Sequence, residues 1–382
     1  MKKLLCALAV LMAVTNAPIH TYAQGYDAKG AILVEPTTGR VLLEQDADDP
    51  LPPASVTKVM TMLLIYEAVA SGKIKWEDKV NISEHAAGMG GSQIFLEPGQ
   101  TPTVYDLTRS IVIASANDAA VAMAEHLAGS EPAFVDLMNQ RAKELGMSNT
   151  HFVNACGLDA DGHLTSARDI ALMSSQLITH HPEVTETALV WMDTITHETR
   201  KGPQEFGLTN TNKMVRTYDG ITGLKTGSTS KAQFCLSATA HKDDLSLVAV
   251  ILGSPDSKTR FAEARRLLDH GYANFAAQSG EPVGTPKGTV QVHKGEIDQA
   301  SLIVKDKITV VIEKGNDTTL DTTIETLDFI KAPAKAGTKA GELIYHAAGQ
   351  EVGRTDLILA QDIQKAGIFH MYKKVIEHFV IG

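Results

Sequence analysis

Pro53-Ala54-Ser55-Val56-Thr57-Lys58-Val59-Met60-Thr61 is the stretch from which the rest of the chain can be read. Pro53 is a helix start signal, and Val59, Met60, Leu63 and Leu64 then recur on one helical face. Residues three apart on a helix share a side, so the Lys58 amine lies one turn beyond Ser55, within reach of its hydroxyl. A serine hydroxyl is a weak nucleophile until a base takes its proton. Lysine is that base only when neutral, and its ordinary pKa is about 10.4. Burial and a second nearby ammonium both lower it. The helix N-terminus adds positive potential at Ser55, which favours developing negative charge. By itself the pair reads first as a helix cap and a solvated lysine.

Two further strings shift that balance. Ser115-Ala116-Asn117 lies between an apolar stretch beginning at Ile111 and an alanine-rich helix. A hydroxyl there can relay a proton to a leaving amine. The asparagine amide can orient Lys58 and bond a substrate carbonyl, although these residue types also suit a plain helix junction. Lys225-Thr226-Gly227 precedes Ser228-Thr229 and reads as an edge strand bordering a cleft. Gly227 removes a side chain where another backbone must approach closely, and an extended peptide can pair with such an edge. Lys225 is the expected second ammonium. With the Thr226 hydroxyl it would hold a carboxylate. The backbone N–H groups of Ser55 and Ser228 would form an oxyanion hole, the donor pair acyl transfer needs. Together the strings describe a serine acyl-enzyme that works without histidine.

Strands lie on both sides of the helical part. Ala31–Glu35 and Val41–Glu44 flank Pro36-Thr37-Thr38-Gly39, a hairpin signal. Residues 56–180 read mainly as helix and loop. Phe234–Ala240 and Leu245–Leu252 are strands joined by the polar turn His241–Asp244. An amphipathic helix follows, with Phe261, Ala264, Leu267, Leu268, Tyr272 and Phe275 on its inner side. The economical solution is an α+β domain: one antiparallel sheet built from both ends of the segment and flanked by helices. Gly280–Gly288 reads as a linker. The short β runs Thr289–Val292, Ile308–Ile312 and Glu342–Tyr345 then suggest a small all-β domain over residues 285–358. In the tail, residues 362–382, Ile368, Met371, Tyr372, Val375, Phe379 and Val380 recur at helical spacing opposite Lys373, Lys374, Glu377 and His378. This suits an amphipathic helix lying on a membrane surface better than a spanning one; a docked helix or a dimer contact is the alternative.

The N-terminus predicts export. Lys2 and Lys3 precede the apolar run Leu4–Val14, and Thr21-Tyr22-Ala23 offers a cleavage site before Gln24, so residues 1–23 read as a signal peptide. The apolar run is too short to span a bilayer. Cys6 leaves with the peptide, and Cys156 and Cys235 remain; they allow one disulfide at most, and two buried unpaired thiols are the expectation. Removing Lys2 and Lys3 takes the net charge from −10 to −12. No basic, aromatic stretch suggests nucleic-acid binding. No zinc-site spacing is present, so neither metal nor cofactor is expected.

With these residues in place the chain resembles the low-molecular-weight penicillin-binding proteins, specifically the serine D-alanyl-D-alanine carboxypeptidases. The resemblance rests on Pro53–Thr61, Phe95–Gly99, Ala114–Glu125, Asn149–Phe152, Ser166–Asp169 and Asp219–Gly227; it covers residues 24–275 best and implies a catalytic domain over residues 24–278. It implies a penicillin-recognising, transpeptidase-like fold. The implied activity is removal of the terminal D-alanine from peptidoglycan pentapeptide stems through an acyl-enzyme on Ser55, and acylation by β-lactams. Its second domain and membrane anchor are similar in kind to residues 285–358 and 362–382. A periplasmic enzyme held at the cytoplasmic membrane is the implied setting. Three positions depart from the family pattern: Ala116 where glycine is frequent, and Ser228 and Cys156 where histidine is common. The rivals are an endopeptidase of the same superfamily, a β-lactamase and a catalytically silent wall-binding protein. The chain has no E-x-x-L-N string of the kind a β-lactamase uses to activate its deacylating water.

Overall fold

The computed structural model describes residues 25–199, 202–315 and 319–368. The expected signal peptide, and the expected tail helix from residue 369 onward, lie outside the described residues. The chain opens with β1 (Gly30–Val34) and β2 (Val41–Gln45), an antiparallel hairpin turning at the predicted Pro36–Gly39. A helical block follows: α1 (Lys58–Ala70), α2 (Glu84–Ala87), α3 (Val104–Ala114), α4 (Asn117–Ala128) and α5 (Glu131–Glu144). Then come α6 (Ala167–His180), α7 (Val184–Ala188) and a separate hairpin of β3 (Met192–Thr199) and β4 (Gly202–Thr209). The chain returns to the main sheet with β5 (Ile221–Thr229), β6 (Gln233–Lys242) and β7 (Leu245–Ser254), then adds α8 (Ser257–Asn274).

Among the described residues the main sheet has five strands in the order β2-β1-β7-β6-β5, every neighbouring pair antiparallel. Strands from the two ends of the segment thus form one sheet, as the sequence predicts. Side chains alternate across a strand, so Ile32 and Val34 face the helical block while Ala31 and Leu33 face α8. Central strand β7 is buried on both faces, with Val248 and Val250 toward the helices and Leu247, Ala249 and Ile251 toward α8. The β6–β7 turn is tighter than the predicted four residues: only Asp243 and Asp244 lie between the strands, both at positive φ (49° and 63°). That is the backbone a two-residue hairpin favours. Asp256 caps α8 by accepting from the Lys258 and Thr259 N–H groups. Burying Leu267 and Leu268 of α8 completely contributes roughly 1.5–3 kcal/mol each.

Helix α1 is more deeply placed than an amphipathic pattern implies. Val59, Met60, Met62, Leu63, Ile65 and Tyr66 are all buried, so this helix is the axis of the helical core rather than its skin. Its first turn also differs from the expectation of a helix starting at Ser55. Residues Ala54–Thr57 form a 3-10 turn and α1 begins at Lys58.

The second unit is all-β, but its edges differ from the expected ones. Strand β8 (Phe275–Ser279) follows α8 directly and pairs with β11 (Thr309–Glu313). The expected linker Gly280–Gly288 is pinned: the Gly280 N–H donates to Ile308 O, the Glu281 N–H to the Tyr345 hydroxyl, and β9 (Pro286–His293) already begins within it. The local pattern reads as a linker; long-range hydrogen bonds, which such a pattern does not show, hold the segment in place. The sheet itself runs β12-β14-β15-β10-β9-β13, with β10 (Gln299–Val304), β12 (Asp321–Thr326), β13 (Phe329–Lys331), β14 (Lys339–Ala347) and β15 (Gln350–Leu359). Its core holds Val290, Leu302, Leu343 and Leu357. Ile363 and Lys365, placed in the expected tail helix, instead bridge to Ala334 and Gly295. Arg40 joins the two units through an ion pair to Glu313.

Candidate active site

The turn Ala54–Thr57 has about three residues per revolution, which sets residues i and i+3 directly above one another. Lys58 Nζ accordingly lies 3.0 Å from Ser55 Oγ. The lysine is fully buried and its other contacts are equally defined. It donates to Asn117 Oδ1 at 2.6 Å and to the Cys156 carbonyl at 2.7 Å. An ammonium has three hydrogens and here finds three acceptors. When one proton leaves, the asparagine oxygen and the carbonyl hold the remaining two hydrogens, and the lone pair faces the Ser55 hydroxyl. Burial lowers the Lys58 pKa to about 8; the Cys156 thiol and the Asp118 carboxylate pull the other way. Burial pushes the Cys156 thiol itself up, so it stays protonated near neutrality and adds little charge.

Asn117 opens α4 and ties three segments together. Its side chain accepts from Lys58 and donates to Gly90 O at 2.6 Å, while its N–H donates to Ser92 O at 2.7 Å. Asp118 is buried beside it and accepts from the Ile94 and Leu96 N–H groups, which fixes the same loop. Ser115 is buried two residues earlier, ending α3 in the left-handed conformation at φ 62°. The loop carrying Cys156 is folded around Asn154, whose Oδ1 accepts from the Cys156, Gly157 and Leu158 N–H groups. The position that departs from the family pattern at Cys156 therefore meets Lys58 through a backbone carbonyl, which any residue supplies.

Strand β5 is the free edge of the sheet and borders this cluster. A Cβ added to Gly227 would lie 2.8 Å from Ser55 N and 3.0 Å from both Ala54 Cβ and Pro53 O. Only glycine lets the strand come this close, as the sequence predicts. Lys225 is buried and donates to Thr226 O at 3.1 Å. Burial lowers its pKa well below the ordinary lysine value, helped by the charges of Lys58 and Arg260. Thr226 donates its hydroxyl to Thr211 Oγ1 at 2.7 Å, and Ser228 is exposed at the end of the cleft edge. Thr211, the Gly90 and Cys156 carbonyls, and Arg260 carry no local sequence signal and were not foreseen.

The arrangement brings together a hydroxyl, a buried amine and an amide, with a second buried lysine on the neighbouring strand edge. A profile of the family described as D-alanyl-D-alanine carboxypeptidase matches residues 15–256. The chain belongs to the D-alanyl-D-alanine carboxypeptidase family. A second profile, the C-terminal domain of penicillin-binding protein 5, matches residues 277–365, the β unit. Among the family's members, D-alanyl-D-alanine carboxypeptidase DacF of Bacillus subtilis is 39% identical over 98% of this chain and 98% of its own. DacA of Escherichia coli is 34% identical over 93% of this chain and 89% of its own. The fold is similar to that of penicillin-binding protein 5 from Haemophilus influenzae, with a TM-score of 0.79, 29% identity, and coverage of 90% of this chain and all of that one.

Proposed function

We propose that Ser55 is the acylated nucleophile and Lys58 its general base. The protein is a serine-type D-alanyl-D-alanine carboxypeptidase. The carrying observation is the 3.0 Å contact between a serine hydroxyl and a fully buried lysine whose other two hydrogens are already engaged. In the reaction Ser55 Oγ bonds to the carbonyl carbon of the penultimate D-alanine and its proton passes to Lys58 Nζ. The carbonyl oxygen gains charge between the Ser55 and Ser228 N–H groups. Collapse of this intermediate breaks the peptide bond, and Ser115 relays a proton to the departing D-alanine nitrogen. Water then attacks the Ser55 ester, giving a shortened stem and free enzyme. Lys225 and Thr226 hold the terminal carboxylate, and Asn117 keeps Lys58 aimed. A β-lactam enters by the same first step, its ring amide standing in for the scissile bond.

Mass spectrometry of a pentapeptide stem incubated with the protein tests this. Loss of one alanine is expected from wild type and not from Ser55→Ala. Cleavage only of cross-linked dimers would make it an endopeptidase, and penicillin labelling of Ser55→Ala at the wild-type level would remove the nucleophile.

The setting we infer is the outer side of the cytoplasmic membrane. The charged and apolar pattern of residues 1–23 supports export. No described helix is long and apolar enough to cross a membrane. The stripe Ile368, Met371, Tyr372, Val375 and Phe379 supports peripheral attachment instead. Liposome flotation of the full chain against one ending at Lys365 reads this directly: only the full chain is expected to float, and equal flotation would dismiss the tail as anchor.

A further inference from the structure

Arg260 of α8 is a buried cation with an unusual set of partners. It is 6% exposed and forms no ion pair among the described residues. Its guanidinium lies against the rings of Phe261 and Phe234, at 4.5 and 5.6 Å from their centroids. One terminal nitrogen, Nη1, donates to two backbone carbonyls, Gly227 O at 3.0 Å and Cys235 O at 3.1 Å. The other, Nη2, donates to Ser257 Oγ at 3.2 Å, and Nε has no partner. Burial lowers its pKa to about 10, so it remains charged at neutral pH. Burying a charge without a counter-charge is costly, and an apolar side chain of similar volume would pack there more favourably. Core packing alone therefore does not account for an arginine at this position.

The partners give the reason. The Gly227 carbonyl and the Ser228 N–H are the two ends of one planar trans peptide, so they point in opposite directions. Gly227 lies opposite Cys235 in the β5–β6 ladder, and Nη1 reaches both of their carbonyls. The Gly227 oxygen therefore points toward β6, and the Ser228 N–H points toward the free edge, where Gly227 meets the Ser55 turn. Gly227 itself lacks the Cβ that restrains a backbone, so the orientation of this peptide depends on what its carbonyl is bonded to.

We propose that Arg260 is a positioning residue for acyl transfer. It locks the Gly227–Ser228 peptide so that the Ser228 N–H is a fixed oxyanion donor, and it polarises that amide from the carbonyl end. A cation on an amide oxygen draws electron density from the nitrogen and strengthens its N–H as a donor. The role rests on the assignment of Ser228 N–H to the oxyanion hole made above.

The test uses the full chain with Arg260→Met and Arg260→Lys. Stopped-flow labelling with a penicillin separates the acylation rate constant from the dissociation constant of the preceding complex. Infrared difference spectra of the acyl-enzyme give the stretching frequency of its ester carbonyl, which oxyanion donors lower. Loss of a whole oxyanion donor slows reaction by roughly 10²–10³-fold, so a misaligned one is expected to slow acylation by about 10–100-fold. The dissociation constant stays within about twofold in that case, and the ester band moves to higher frequency. Arg260→Lys keeps the charge but not the planar fork, so it falls between wild type and Arg260→Met. Where Arg260→Met does not fold, Arg260→Lys carries the comparison. The proposal is overturned if a folded variant acylates at the wild-type rate with the wild-type ester band. It is equally overturned if only the dissociation constant rises, since Arg260 would then act on carboxylate binding through Lys225. Peptide mapping of the wild-type adduct keeps the two assignments apart. An adduct away from Ser55 removes the underlying site, whereas an adduct on Ser55 with unaffected arginine variants removes this inference alone.

Discussion

Acylation is expected to switch on with rising pH as Lys58 loses its proton. Burial places that pKa at about 8. The neutral fraction is then about a tenth at pH 7 and about a hundredth at pH 6. The rate constant for penicillin acylation should therefore climb close to tenfold between those two pH values and level off above about pH 9. An unperturbed lysine would still be climbing at pH 10. The Lys58 charge disfavours the charged form of Lys225, so the two titrations are linked and the observed midpoint belongs to the pair. Asn117→Asp supplies a sharper version of the experiment. It replaces the amide oxygen 2.6 Å from Lys58 Nζ with a carboxylate in nearly the same place. A neighbouring anion favours the ammonium, so the midpoint moves up by one unit or more and the rate at pH 7 falls by tenfold or more. Stopped-flow labelling across pH 5–10 reads both profiles. A wild-type rate that is flat over this range, or a midpoint that Asn117→Asp leaves in place, would refute Lys58 as the base. Lys58→Arg is expected to stay inactive throughout, because a guanidinium does not deprotonate.

Gly227→Ala is expected to lower acylation by about 100-fold or more, because its Cβ would sit 2.8 Å from Ser55 N and the opposing atoms include backbone that cannot swing aside; a retained rate would show that the strand and the turn separate freely. Circular dichroism on the same variant should show the fold intact, since β5 remains paired to β6. His163 predicts a pH dependence of stability rather than of rate. Its Nδ1 accepts from the Val153 N–H and its Nε2 lies 2.8 Å from Thr57 Oγ1, and burial lowers its pKa to about 4. The unfolded chain binds its proton near pH 6.5 and the folded chain near 4, so stability is intact above pH 6.5 and falls by roughly 3 kcal/mol as the pH drops to 4. The difference in urea midpoint between wild type and His163→Gln, followed across this window, isolates the histidine from the carboxylates; a constant difference would contradict its buried neutral state.

The parts of the site that were legible in the sequence are those written in short spacings. Ser55 and Lys58 are one turn apart, and the three-residue period survives even though the turn is 3-10 rather than α. Gly227 was legible because a glycine inside a strand pattern signals a close backbone approach. The two-ended sheet was legible because β1, β2, β6 and β7 each carry a continuous apolar run or an alternation. The β3–β4 hairpin was not: its burial is confined largely to Ile195, His197 and Leu208, so no apolar period marks it. The linker expected at Gly280–Gly288 failed for the complementary reason, since its order comes from Ile308 and Tyr345, which are distant in sequence.

The remaining determinants were hidden because they act through backbone. Lys58 is held by the Cys156 carbonyl, Asn117 by the Gly90 carbonyl, and the Gly227–Ser228 peptide by Arg260 from the far side of the sheet. A carbonyl has no residue type, so such contacts leave no motif; what they require is that a loop or strand be held in register. Asn154 does this for the Cys156 loop and Asp118 for the loop over Asn117. Each of these side chains accepts from two or more backbone N–H groups, which a carboxamide or carboxylate oxygen can do. The residues around the base thus fall into two kinds. In the proposed site Ser55, Lys58 and Asn117 contribute side-chain atoms of their own, which meet at Lys58 Nζ. Cys156 is free to vary so long as Asn154 keeps its carbonyl in place. Replacement of Asn154 is therefore the more damaging change of the two, even though Cys156 is the residue in contact with the lysine.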